Sequence, residues 1–179
     1  MKKVIRKLIR MSFHIVKFPL KVLDYLSARL YMRSYLKILK LLGVRFEGVP
    51  RYISPGCKID DFEKITFGEN TVVSDKVVLL THDYSLTTGL RKIGAAPDAD
   101  VAFIKSIRLG SNVFVGMGAI ILPGTHIGND VIVGAGSVVR GKIPDNSILV
   151  GNPAVVVGAL DEKALRWKAA MSEADIRAD

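Results

Sequence analysis

Residues 109–144 read LGSNVFVGMGAIILPGTHIGNDVIVGAGSVVRGKIP. Every sixth position is aliphatic: Leu109, Val115, Ile121, Ile127, Val133 and Val139. The residues that follow them are Gly110, Gly116, Leu122, Gly128, Gly134 and Arg140. Four places on from each aliphatic lie Val113, Ala119, Thr125, Val131, Ser137 and Ile143, mostly small or β-branched. A period of six fits neither a 3.6-residue helical turn nor simple strand alternation. It is the signature of a parallel β-helix, in which short strands stack coil on coil and each repeated aliphatic enters one continuous core. Branched side chains suit the strands, while Gly110, Asn112, Gly128, Asn129 and Asp130 suit the corners. The longest uncharged run, Leu109 to Asn129, could span a bilayer by length alone. Its glycines, its proline and its period make it a wall of the coil instead.

Upstream, Ile53, Ile59 and Ile65 are six apart, and the phase then slips by two to Phe67, Val73 and Leu79. Between Ser85 and about Arg108 the repeat disappears, and this stretch is read as a loop thrown out of the coil, of the long kind that is often functional. Downstream, the period ends at Pro144. The segment LDEKALRWKAAMSEADI then reads as a polar surface helix capping the open end of the stack. The expected divisions are a helical arm over 1–45, a β-helix over 46–158 with its excursion at about 85–108, and a helix over 159–179.

The chain of 179 residues has one-domain length, and 49% hydrophobic with 24% charged residues excludes disorder as its main state. Its net charge of +9 is uneven. Residues 1–45 hold twelve Lys or Arg against Asp24, a balance of +11, and the rest balances at −2. Bases at Lys3, Lys7, Arg10, His14, Lys17 and Lys21 form one helical stripe, and Val4, Leu8, Met11, Ile15, Phe18 and Val22 form an apolar one beside it. Pro19 is expected to kink or split this helix near Phe18, with a second stretch running to about Leu42 and stopping at Gly43. Two readings compete for the arm: its apolar stripe packs on the main domain or a neighbouring subunit, or a basic helix lies on an anionic membrane surface. Nucleic acid ranks third, since no binding module accompanies the bases. The basic start leads into only six uncharged residues, too few for a signal peptide. With the lone Cys57 excluding an intrachain disulfide, a cytoplasmic setting is expected, with the membrane's cytoplasmic face as a second location.

The piece IRLGSNVFVGMGAIILPGTHIGNDVIVGAGSVVRGKIPDNSILVGNPA, within a match from about Ile53 to Val157, resembles the hexapeptide-repeat acyltransferases. These include galactoside, maltose, serine and surface-polysaccharide O-acetyltransferases. The resemblance implies a left-handed triangular prism with three hexapeptides per coil, an exception to the right-handed crossover rule. It also implies a homotrimer with acyl-CoA, here acetyl-CoA as co-substrate, in a groove between neighbouring prisms, and no metal.

Acetyl transfer to a sugar hydroxyl needs a base, because the hydroxyl attacks poorly until its proton is taken, and histidine titrates in the useful range. His14 lies in the arm and His126 at a coil corner. His82, in LLTHDYS, ends a run of coils just before the excursion. That is where the family's catalytic histidine falls, so the resemblance makes His82 the general base. Asp83, Asp60, Asp61 and Tyr84 are candidates to orient it or to hold the acceptor. The family's acceptor-binding asparagine has no convincing match. For the donor, GMGA (Gly116, Met117, Gly118, Ala119) and GAGS (Gly134, Ala135, Ser137) fit the CoA groove. Phe114 stands where tryptophan is frequent, Arg140 or Lys142 could meet a CoA phosphate, and Pro153 belongs to the closing motif GNPA, where Val155 replaces a frequent base. Cys57 is filler or corner, not nucleophile. An amino-sugar N-acetyltransferase or serine O-acetyltransferase is the runner-up. A non-enzymatic scaffold comes next, and a zinc carbonic anhydrase is disfavoured because two histidines outside the arm are too few.

Overall fold

The computed structural model describes residues 18–95 and 97–171. It is mainly β, and its strands are short and parallel. Sheet I holds β1 (Arg45–Phe46), β4 (Ile65–Phe67), β9 (Ile107–Leu109), β12 (His126–Ile127) and β15 (Lys142–Ile143). Sheet II holds β2 (Tyr52–Ile53), β5 (Val72–Val73), β10 (Val113–Val115), β13 (Val131–Val133), β16 (Ser147–Gly151) and β17 (Ala154–Ala159). Sheet III holds β3 (Lys58–Ile59), β6 (Val78–Leu79), β11 (Ile120–Ile121) and β14 (Val138–Val139). From β2 to β16 the chain visits II, III and I in rotation, so every turn adds one strand to each sheet. Within these three sheets, and among the described residues, only β17 runs antiparallel, against β16.

The register explains both the repeat and its irregularities. Leu109 pairs with Ile127, Val115 with Val133 and Ile121 with Val139, each 18 residues apart, which is three hexapeptides. Ile53 pairs with Val73 and Ile59 with Leu79, 20 apart. The two additional residues are taken up around a 3-10 turn at Phe62–Lys64, so Ile65 stands level with Ile107 and Phe67 with Leu109. The phase slip is therefore a local insertion, not a loss of the fold. Leu109, Val115, Ile121, Val133 and Val139 are fully buried and Ile127 is 1% exposed. Two residues before each of several of these, Val113, Ala119, Thr125, Val131 and Ser137 also point inward. Burying each large aliphatic contributes about 1.5–3 kcal/mol. The enclosed Thr125 hydroxyl donates to the Leu122 carbonyl at 2.7 Å, which satisfies it without water. Cys57 is buried at the same kind of inward position, so it is core filler.

The corner between sheets I and II takes a left-handed residue on each coil from β4 onward. Asn70, Asn112, Asp130 and Asn146 supply it, with φ of 53° to 55°. Asn and Asp tolerate that region better than other side chains with a Cβ.

α1 (Ala28–Leu42) seals the first coil with Tyr31, Met32, Tyr35, Leu39 and Leu42. It stops at Gly43, whose φ of 112° lets its N–H bond back to the Leu39 carbonyl. The arm departs from expectation in two ways. Residues 18–26 are helical through Pro19, and the interruption falls at Ser27, extended at φ −162°, whose hydroxyl accepts from Leu30 N–H. Phe18 and Val22, placed on the packing stripe by the sequence, are 75% and 46% exposed, whereas Leu20 is buried. The remaining stripe positions, from Lys3 to Lys17, lie outside the described residues.

The phenols of Tyr31 and Tyr35 are fully buried with their rings stacked, and Tyr31 donates to the Ile53 carbonyl at 2.6 Å. Burial is the main cause that pushes both phenol pKa values far above the ordinary range. The folded state thus keeps protons that the unfolded chain releases near pH 10. Stability should hold up to about pH 10 and then fall by about 1.4 kcal/mol per pH unit for each phenol. Urea midpoints at rising pH check this, and an unchanged midpoint up to about pH 11 contradicts it.

The excursion is not without regular structure, contrary to the sequence reading. It contains α2 (Ser85–Lys92), and it returns through β8 (Phe103–Ile104), antiparallel to β7 (His82–Asp83). Val101 N–H donates to the Thr87 hydroxyl, which in turn donates to the Val101 carbonyl, both at 2.8 Å. This doubled bond ties the returning chain to α2. The terminal helix α3 (Leu160–Ala170) buries no residue, so it caps nothing with an apolar face. It is attached instead through Leu160 and Asp161 N–H groups donating to Asn146.

Candidate active site

The corner from sheet III to sheet I gathers the ionisable side chains. β6 ends at Leu79, and the next turn carries Thr81 and His82. The Ile59–Leu79 register sets Asp60 and Asp61 on the preceding coil beside it. Asp60 Oδ2 lies 3.6 Å from His82 Nδ1, and Asp61 Oδ2 lies 4.0 Å away. Both distances exceed a hydrogen bond, so the carboxylates act on the ring through their charge. They are themselves anchored: Thr81 N–H donates to Asp60 at 3.4 Å and the Thr81 hydroxyl donates to Asp61 at 2.8 Å. The His82 side chain is 40% exposed while that of Asp60 is 10% exposed. The imidazole therefore has a carboxylate wall behind Nδ1 and open access elsewhere. Pairing of His82 with Ile104 fixes its backbone, and the Tyr84 ring meets the imidazole edge-on at 5.6 Å.

Asp83 faces away from this cluster, as alternation along a strand requires. Its carboxylate accepts the Ser85 N–H at 2.9 Å, and that hydrogen bonding holds its pKa below the ordinary carboxylate value. It lines a cleft of about 390 Å³ with Ser85, Phe103, Lys105, Pro123 and Arg140. Phe103 and Lys105 were not found by sequence reasoning. They arrive through the β7–β8 pairing, which no repeat position marks, and Lys105 Nζ sits 5.0 Å over the Phe103 ring. His126, placed at a corner by sequence, is instead an exposed strand residue between Arg108 and Lys142.

The candidate donor residues fall elsewhere. GMGA and GAGS form the corner from sheet II to sheet III, and Phe114 and Met117 are exposed there at 41% and 55%. Ala119 and Ser137 are fully buried, so their side chains face the coil interior rather than an external groove. Gly116 and Gly134 also have a stacking role. A Cβ on Gly116 would stand 2.5 Å from the Ala135 nitrogen, and one on Gly134 would stand 2.7 Å from Val150 Cγ1. Gly118 has φ of 71° with open space around it. Arg140 and Lys142 are exposed near the His82 corner, and Pro153 is exposed beyond β16. One copy of the chain thus divides the candidate residues between two corners.

A family model described as bacterial transferase hexapeptide (six repeats) matches residues 106–141, the same stretch that forms the regular 18-residue coils. Those residues carry the hexapeptide repeat that the model describes. The chain is 29% identical over 141 residues to the putative lipopolysaccharide biosynthesis O-acetyl transferase WbbJ of Escherichia coli, covering 72% of each. It is 35% identical over 98 residues to the galactoside O-acetyltransferase of Lactococcus lactis, covering 55% of this chain and 44% of that one. Apart from WbbJ, the chain spans about half the length of most curated relatives it matches. The structure of a galactoside acetyltransferase in complex with coenzyme A shares the fold, with a TM-score of 0.57 at 23% identity over 86% of this chain and 85% of that one. Among the described residues, no group of three His, Cys, Asp or Glu is placed to hold a metal ion, and no helix is long and apolar enough to cross a membrane.

Proposed function

We propose that the chain is an acetyl-CoA-dependent O-acetyltransferase that acylates a sugar hydroxyl, with His82 as its general base, in the building of a cell-surface polysaccharide. The observation that carries the reading is the half-exposed imidazole whose Nδ1 is backed by Asp60 and Asp61. The names of the relatives supply the reaction class, and the WbbJ relative supplies the polysaccharide setting.

With Nδ1–H turned to the two carboxylates, Nε2 is left with a lone pair toward solvent. It takes the proton of the acceptor hydroxyl as that oxygen attacks the thioester carbonyl. The tetrahedral intermediate collapses, the C–S bond breaks, and the departing thiolate recovers the proton from His82. The products are an ester and free CoA, with no acyl-enzyme. Asp60 and Asp61 stabilise the imidazolium between these two proton transfers.

The pantetheine arm lies along Phe114, Gly116, Met117, Gly118, Gly134 and Ala135, and the CoA phosphates meet Arg140 or Lys142, with Pro153 at the groove's end. Apart from Arg140 and Lys142, these residues and His82 occupy different corners, so the reading includes a homotrimer of left-handed prisms in which one copy's groove faces another copy's histidine. The three divisions of the chain keep their roles as arm, catalytic coil and terminal helix.

The test is CoA thiol release with acetyl-CoA and a panel of sugars, read together with a mass gain of one acetyl group on the acceptor. Turnover is expected only with hydroxyl-bearing glycans, and absence of turnover across the panel and of acetyl-CoA binding would overturn the reading. Asp60→Asn should lower kcat by up to about 10²-fold, by removing one of the two charges that stabilise the imidazolium, while KM for acetyl-CoA stays unchanged. A raised KM with intact kcat would assign Asp60 to binding instead.

A further inference from the structure

The outer face of α1 takes no part in the chemistry above. Its inner face is buried on the first coil, so the opposite face forms the outside of that end of the stack. Arg29, Arg33, Lys37 and Lys40 are exposed on it, and the helix contains no acidic residue. Leu30 and Leu41 stand among these cations at 52% and 64% exposure, and Tyr25 and Leu26 continue the apolar surface at 92% and 72%. A cleft of about 300 Å³ between α1 and the first coil sets Arg29, Arg33 and Arg51 around Met32, Leu36 and Val49. Asp24, the sole acid of residues 1–45, is engaged by the Tyr52 hydroxyl at 2.8 Å.

We propose that this end of the molecule docks on an anionic lipid bilayer, with the cations at the headgroups and Leu26, Leu30 and Leu41 in the acyl boundary. Cations interleaved with bulky exposed aliphatics on one helical face are the composition of an interfacial helix. Against a nucleic-acid backbone the leucines would have no partner. Against a second copy of the same face, four cations would oppose four cations. The +11 balance of residues 1–45 sets the same sign over the whole arm. The proposal is independent of the acyl-transfer reading, because binding is measured without substrates.

The full-length protein is floated with vesicles of phosphatidylcholine alone or with about one-third phosphatidylglycerol, at low and high salt. Binding to the anionic vesicles should exceed binding to the neutral ones by at least about tenfold and should weaken with salt. The variant Arg29→Gln/Arg33→Gln/Lys37→Gln/Lys40→Gln should lose about 10³-fold in partitioning, roughly fivefold per cation. Leu30→Ser/Leu41→Ser should weaken binding while keeping its salt dependence. All six side chains are solvent-exposed or nearly so, and an unchanged thermal midpoint verifies the fold. Equal flotation with neutral and anionic vesicles, a quadruple variant that floats like the parent, or displacement from vesicles by duplex DNA at the same ionic strength would each overturn the proposal.

Discussion

His82→Ala should reduce kcat for acetyl transfer by about 10²–10⁴-fold, the span that a positioned general base contributes. The imidazole is the one titratable side chain at its corner with a free nitrogen and an anionic wall behind the other, so nothing adjacent can replace it: Asp60 and Asp61 are engaged with Thr81. KM for acetyl-CoA should stay near its parent value, because the proposed pantetheine groove lies at another corner of the same copy and the ring makes no hydrogen bond or ion pair with Arg140 or Lys142 at the donor site's phosphate end. Fold stability should be unaffected, since the ring is 40% exposed and the strand is held by main-chain pairing with Ile104. Turnover within about twofold of the parent would remove His82 from the mechanism, well below the smallest contribution expected of such a base.

Gly110→Ala should destabilise the protein by about 1–3 kcal/mol, with the midpoint falling by roughly 2–12 °C. A Cβ there meets the Gly128 carbonyl oxygen on the next coil and stands 2.6 Å from its carbon. Both are backbone atoms and cannot rotate aside. Gly68 faces Gly110 in the same way, so the column of glycines sets how closely successive turns can stack. Gly89→Ala is the matched control: it lies in α2 with nothing near the new methyl, and alanine should be neutral or stabilising there by up to about 1 kcal/mol. Thermal unfolding of both variants measures the contrast, and equal midpoints would show that the coils can spread.

Much of the coil was legible because its signal is periodic and local. Leu109 through Val139 point inward as their spacing requires, and Gly43 ends α1 where a left-handed cap was expected. Ala119 and Ser137 occupy the same inward series as Val113 and Val131, which already placed them in the core. Ser27 carried a helix-start signal of its own, a serine hydroxyl able to accept from the third residue onward. α2 was hidden because SLTTGLRK is short and contains glycine and two threonines, so its helix depends on tertiary ties such as Thr87 to Val101. The sequence already offers Asp60 and Asp61, about one coil before His82, as its partners, and the 20-residue coil lengthened around Phe62–Lys64 sets them beside it. The cleft with Phe103 and Lys105 depends on a pairing across the excursion that no spacing encodes.

Phe67 pairs with Leu109, Val73 with Val115 and Leu79 with Ile121, each 42 residues apart, in the same registers that regular coils use. The stack closes beneath the intervening segment as though it were not there. That makes the segment a graftable module: exchanging it, between the ends that leave and rejoin the coil, should alter what is presented beside His82 while the scaffold still assembles. Acceptor preference in such a protein can therefore diverge by replacement of a single appendage, without any change to the repeats that carry it.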